Sequence, residues 1–124
     1  LEAYGKQYAA LLERHCGNHR RDHERCIASR KLDPLSLPAW YPVCGEHYEL
    51  DSVCSTAVLK EVDSRCRAPL DRAATTLNRA KGEAALKESL AAVGECMAKM
   101  AKSGGTLDYN PAAAKARFAE SRKL

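Results

Sequence analysis

The stretch that decides the fold reads CGNHRRDHERC over residues 16–26 and CGEHYELDSVC over residues 44–54. Each segment begins and ends with cysteine, so both carry a cysteine step of ten residues. Ten helical residues rise about 15 Å, and two antiparallel helices can be bridged at two levels only when both have the same step. The spacing therefore predicts a helical hairpin with two disulfides, Cys16–Cys54 and Cys26–Cys44.

The sequence around these segments favours two helices with a turn between them. Apolar residues and cysteines recur at steps of three and four, which predicts a first helix over residues 2–29. Pro34 and Pro38 predict a break in the chain. Pro42 suits the first turn of a second helix, which we expect to extend to about Arg67.

The disulfides also set a register for the hairpin. Positions whose numbers add to 70 face each other, so Leu12 is expected to face Val58 and Tyr8 to face Val62. His19 faces Asp51 in the same register. Between the first two cysteines the sequence has no apolar side chain, so the seam there is polar and depends on the disulfides.

Two tandem CX9C segments with a proline-containing linker resemble the twin CX9C proteins, also called the coiled-coil–helix–coiled-coil–helix (CHCH) family. The resemblance covers residues 8–66, about half of the chain. It implies the mitochondrial intermembrane space, import by the disulfide relay of that compartment, and a scaffolding role.

Composition limits the other function classes. The chain has 124 residues, six cysteines and a net charge of +4, which suits one small disulfide-containing protein. No run approaches 18 apolar residues, so we expect no transmembrane helix, and no signal peptide is visible. Residues 14–31 are biased toward basic and residues 41–64 toward acidic side chains, which suits mutual attraction better than nucleic-acid binding.

The remaining cysteines predict a second hairpin. Apolar stripes that begin at Leu70 and at Leu86 lie on different faces of a continuous helix, and the midpoint of Cys66 and Cys96 falls at Lys81-Gly82. A turn there would allow a third disulfide, Cys66–Cys96, with Leu70 near Val93 and Leu77 near Leu86. The alternative is one long helix with both thiols reduced.

The tail is predicted to hold a short helix. Gly104-Gly105 ends the preceding helix, and Asn110-Pro111 is typical of a helix start, so we expect a helix over residues 112–122 that is ordered only against a partner. The predicted organisation is an all-α fold in three segments. They are the CHCH hairpin at 1–67, the second hairpin at 68–103 and the tail at 104–124.

Candidate chemistry is sparse. The histidines at positions 15, 19 and 23 recur every four residues and could share a metal ion, but a polar helix seam is the favoured interpretation. We expect no metal, no cofactor and no catalytic site. The hairpins leave three aromatic residues unexplained, and these are candidate partner-binding residues: Trp40, Tyr41 and Phe118.

The favoured function is that of a non-catalytic accessory subunit of a respiratory-chain complex. The resemblance implies a peripheral position on the intermembrane-space side of the mitochondrial inner membrane, in contact with other subunits, with complex I favoured and cytochrome c oxidase next. Two alternatives remain open, a mitochondrial ribosomal protein of the CHCH family and an assembly or metal-delivery factor.

Overall fold

The structure is a computed structural model that describes residues 2–79 and 82–122. Within these ranges the chain is all-helical and has no strand. Five helices follow in order: α1 (Glu2–Ser29), α2 (Leu37–Arg65), α3 (Arg67–Asn78), α4 (Glu83–Lys102) and α5 (Pro111–Arg122). The predicted fold class is confirmed, and α1 has the predicted bounds.

The start of α2 differs from the prediction. The helix begins at Leu37, so Pro38 lies in its first turn and Pro42 lies inside it. Pro38 is tolerated because the first N–H groups of a helix have no intrahelical acceptor in any case. The carbonyl of Ser36 accepts the N–H groups of Ala39 and Trp40, which starts the helix before the expected position.

The later helix ends follow local sequence signals. The side chain of Asn110 accepts the N–H of Ala112 at 3.1 Å, so Asn110 is the predicted N-cap of α5. Gly104, with φ of 71°, follows the end of α4, where a residue without Cβ adopts this conformation at low cost. In the predicted turn between α3 and α4, Gly82 is described and has φ of 97°, whereas Lys81 lies outside the described residues.

The chain folds as two compact units, neither of which is continuous in sequence. The first, called here the one-disulfide unit, comprises Leu1–Arg14 and Val58–Leu107. The second, the two-disulfide unit, comprises His15–Ala57 and Asp108–Leu124. Helices α1 and α2 contribute residues to both units, so the units divide the chain differently from the three predicted segments.

The two-disulfide unit contains both predicted bridges of the first hairpin. Cys16 and Cys54 are joined, and so are Cys26 and Cys44, with Cα–Cα distances of 5.8 Å and 5.9 Å. Cys16, Cys44 and Cys54 are buried. The disulfides therefore form part of the core where α1, between Cys16 and Cys26, offers no aliphatic side chain, and Val53 of α2 is buried beside them.

The one-disulfide unit has an aliphatic core. It is formed mainly by five buried side chains: Leu11, Val58, Val62, Val93 and Met97. Helix α3 packs against α4. The third predicted bridge, Cys66–Cys96, joins the residue that precedes α3 to a residue within α4. The predicted second hairpin is confirmed, and the single long helix is not observed.

Two positions in this unit differ from the expected register. Leu11 is 1% exposed, whereas Leu12, the predicted interior residue, is half-buried. Leu77 is 65% exposed and therefore lies outside the core. Between α3 and α4 the hydroxyls of Thr76 and Ser89 are 3.4 Å apart, so a polar pair occupies part of the interface where leucines were expected.

Candidate functional site

The closed end of the α1–α2 hairpin is the most distinctive surface of the two-disulfide unit. The carboxylate of Asp33 accepts the N–H of Leu35 at 3.0 Å, and the carbonyl of Asp33 accepts the N–H of Ser36 at 3.1 Å. At the end of α1, the N–H of Leu32 donates to the carbonyl of Ile27 at 3.1 Å. These bonds hold the loop in a defined turn, as expected when an Asp side chain caps its own turn.

The turn and the first residue of α2 carry large exposed apolar side chains. Leu35 is 94% exposed and Leu37 is 58% exposed. The Cys26–Cys44 disulfide anchors the chain on both sides of this turn, so the two leucines are presented on a covalently restrained loop. We name Leu35 and Leu37 together the leucine tip.

The sequence indicated a turn at residues 33–38, but the exposure of the leucine tip was not predicted. The available signal was two leucines placed between Pro34 and Pro38, outside the apolar stripes of the predicted helices. Exposed leucines scattered singly are ordinary on protein surfaces. Two on one restrained turn are more informative, because neighbouring apolar groups are typical of interaction sites.

Below the leucine tip, Trp40 organises an aromatic cluster. Trp40 is 8% exposed, and its ring lies 4.9 Å from the ring of His23 and 5.5 Å from that of Tyr48, both edge-to-face. His23 Nδ1 is buried, and no hydrogen-bond partner for it is found in the described part of the chain. Trp40 therefore packs within its own unit, and its predicted contact with a partner stays a prediction.

The tail helix packs on the same unit through Phe118. Its ring centroid lies 5.5 Å from that of Tyr41, and the guanidinium of Arg122 lies 5.4 Å from the Phe118 centroid. Ala114 of the same helix is 1% exposed. The expectation that this helix is ordered only against a partner was therefore wrong, because the sequence could not show the surface available within the chain.

Tyr41 also makes a polar contact. Its hydroxyl donates to a carboxylate oxygen of Glu49 at 2.7 Å. Burial raises the pKa of Tyr41, the Glu49 carboxylate acts in the same direction, and a hydrogen bond with Ser121 opposes both. Tyr41 and Phe118 thus have contacts within the chain, and their binding of a partner stays a prediction.

The polar seam of the hairpin differs in detail from the predicted pairing of His19 with Asp51. His19 Nε2 and the Tyr109 hydroxyl share a hydrogen bond of 2.7 Å. Burial raises the pKa of Asp51, and electrostatic interactions of its carboxylate with Arg20, His19 and His23 only partly oppose that effect. Among the described residues, no group of three or more histidine, cysteine or acidic side chains could hold a metal ion.

No helix in the described ranges is both long and apolar enough to cross a membrane. Comparison of the chain with protein-family models, curated proteins and solved structures finds no match. The class that the described residues define is a small all-helical protein with three disulfides.

Proposed function

We propose that the chain is a CHCH-type structural subunit of a large assembly at the mitochondrial inner membrane, on the intermembrane-space side. The observation that carries the proposal is the pair of CX9C helices bridged at two levels, Cys16–Cys54 and Cys26–Cys44. This covalent arrangement resembles that of CHCH proteins. Respiratory complex I is the favoured assembly, followed by cytochrome c oxidase, and the role is non-catalytic.

The leucine tip is the proposed contact with a neighbouring subunit. Leu35 and Leu37 expose apolar surface that gains stability when a protein partner covers it. The hydrogen-bonded turn and the Cys26–Cys44 disulfide hold this surface in one conformation before binding. A restrained loop loses less conformational entropy on association, which favours a stable structural contact.

The first experiment tests compartment and assembly. The tagged full-length chain is expressed in the cells from which it comes, and mitochondria are treated with protease before and after rupture of the outer membrane. We expect protection until rupture, followed by co-purification with an inner-membrane complex after detergent extraction. Accessibility in intact mitochondria, or recovery only as a free chain, contradicts the proposal.

The second experiment tests the contact surface. Leu35→Asp together with Leu37→Asp is expected to reduce co-purification at least about tenfold, because charged groups would have to be desolvated at the interface. Leu77→Asp is the matched control, since Leu77 is also an exposed leucine but lies in α3. An equal loss in the control, or no loss in the double variant, contradicts docking through the leucine tip.

The same purification distinguishes the other two functions. Recovery with ribosomal RNA, lost steeply as salt increases, identifies a ribosomal protein and overturns the respiratory proposal. Recovery of a free chain with stoichiometric bound metal identifies a metal-delivery factor instead. Recovery with an intact respiratory complex in high salt supports the proposed function.

A further inference from the structure

The three disulfides differ in how well the protein seals them. Cys16 is 2% exposed and Cys54 is 0% exposed, so no external group can reach either sulfur without opening the hairpin. In the Cys66–Cys96 bridge, Cys66 is 0% exposed but Cys96 is only partly buried. Cys96 is therefore accessible to an external thiol, whereas Cys66 is not.

Cys96 lines an open surface cavity of about 480 Å³ in the one-disulfide unit. Small-molecule sites commonly measure roughly 300–1,000 Å³. Three cations line this cavity, Arg65, Arg72 and Lys99, against one carboxylate, Glu95. Arg65 is paired with Glu61 at 2.7 Å, so Arg72 and Lys99 are the exposed cations that we assign to ligand attraction.

We propose that this cavity is a site for an anionic low-molecular-weight thiol, which attaches reversibly to Cys96. The cations attract a negatively charged thiol and favour its thiolate form beside the disulfide. The thiolate is the nucleophile in thiol–disulfide exchange. The proposal is independent of the respiratory role, because it rests on the one-disulfide unit alone.

The reaction is a balanced exchange. The sulfur of the external thiolate forms a bond with Cys96 Sγ as the Cys66–Cys96 bond breaks, and the electron pair of the broken bond remains on Cys66 Sγ. Water supplies the proton that converts this sulfur to a thiol. Cys66 Sγ lies 3.7 Å from Met100 Sδ, a weakly polar surrounding that suits the neutral thiol. Attack by a second thiolate on the external sulfur would release Cys96 and a small-molecule disulfide.

Helix α3 packs on α4 with few buried side chains of its own. Ala73 is the buried residue of α3, and Leu77 is exposed. Opening the disulfide therefore exposes little apolar surface from that helix. Both cysteines of Cys16–Cys54 lie in the core, whereas only Cys66 does in this bridge, which makes local opening easier here.

The Cys26–Cys44 bridge is the competing target. Cys26 is also partly buried and lines a cavity with Arg25, Arg30 and His47. Asp22 is 3.3 Å from Arg25 and lines the same cavity, so the positive charge there is reduced. We expect this bridge to react after Cys66–Cys96.

The test uses the oxidised full-length chain with glutathione, an anionic thiol, and with 2-mercaptoethanol, a neutral one. Reactions are stopped with acid at short times, free thiols are alkylated, and modified cysteines are mapped by mass spectrometry. We expect glutathione first on Cys96, with Cys66 recovered as the alkylated thiol. Earlier opening of either other disulfide, or glutathione on Cys66, overturns the proposal.

Charge variants test the binding site itself. Arg72→Glu with Lys99→Glu is expected to slow the glutathione reaction about tenfold and to leave the 2-mercaptoethanol reaction within about twofold. Lys115→Glu with Arg117→Glu makes the same change in net charge on exposed residues of α5 and should leave both rates unchanged. Equal slowing of both thiols by the first pair, or equal slowing of glutathione by the control pair, overturns the proposed site.

Discussion

The two units of the protein bury side chains in different proportions. The two-disulfide unit buries mainly sulfur and aromatic groups, Cys16, Cys44, Cys54 and Trp40, with Val53 and Ala114 as its aliphatic members. The one-disulfide unit buries one cysteine, Cys66, among mainly aliphatic side chains such as Leu11 and Val93. The comparison indicates that covalent bridges replace an apolar stripe where the helix sequence is polar, and supplement one where it is apolar.

The largest expected effect comes from removing a sealed disulfide. Cys16→Ala with Cys54→Ala is expected to lower the free energy of unfolding by about 2–5 kcal/mol, since the bridge restricts the unfolded chain. Cys66→Ala with Cys96→Ala should cost less, about 2 kcal/mol, because its unit keeps an aliphatic core. Urea unfolding of the three proteins measures both values. Equal losses would remove the distinction between the units.

The next effect tests the aliphatic core. Leu11→Ala is expected to cost about 2–5 kcal/mol, because it leaves a cavity at a buried position. Leu12→Ala is the matched control and should cost about 1 kcal/mol, since that side chain is half-buried. Thermal and urea unfolding report the difference. A larger loss of unfolding free energy for Leu12→Ala than for Leu11→Ala would instead support the predicted register, in which Leu12 is the interior residue.

A smaller effect tests the packing of α5. An added Cβ at Gly45 would lie 2.8 Å from a ring carbon of Phe118 and 2.9 Å from the ring of Tyr41. Gly45→Ala is therefore expected to destabilise the protein by about 1–3 kcal/mol through overpacking. Gly5→Ala is the control: nothing lies within 4 Å of its added Cβ, and it should stabilise α1 by about 0.5–1 kcal/mol. If Gly45→Ala leaves the free energy of unfolding unchanged, Phe118 of α5 does not pack closely against Gly45 of α2.

The smallest effect depends on pH. The raised pKa of Asp51 means that its charged form is less favourable in the folded than in the unfolded protein. The protonated carboxyl of Asp51 therefore favours the folded protein in acid, and this contribution to the free energy of unfolding is lost as the pH rises through the folded-state pKa. Asp51→Asn should slightly raise the melting temperature at pH 7, with a gain that disappears below about pH 4. A lower melting temperature for Asp51→Asn than for the unmodified protein at pH 7 would contradict the sign.

Several features of the candidate site could be predicted only in part. Trp40 and Tyr41 were recognised as residues without a helical role, and both lie at the closed end of the hairpin. The exposure of Leu35 and Leu37 was missed, because hydrophobic residues in a turn can fold back or point outward with the same sequence. The direction depends on the turn that Asp33 and Ser36 form.

The sequence by itself determined the all-helical fold and the two disulfide pairings of the first hairpin, and it predicted Cys66–Cys96 with one alternative open. The first two pairings depend on equal cysteine steps, and the helices depend on local apolar periodicity and on short-range signals such as the Asn110 cap. Tertiary structure decided that Leu11 rather than Leu12 is buried, that α5 packs through Phe118, and that two units divide the chain. A neighbouring position on a helix differs by about 100° of rotation, so burial depends on distant residues that local patterns do not specify.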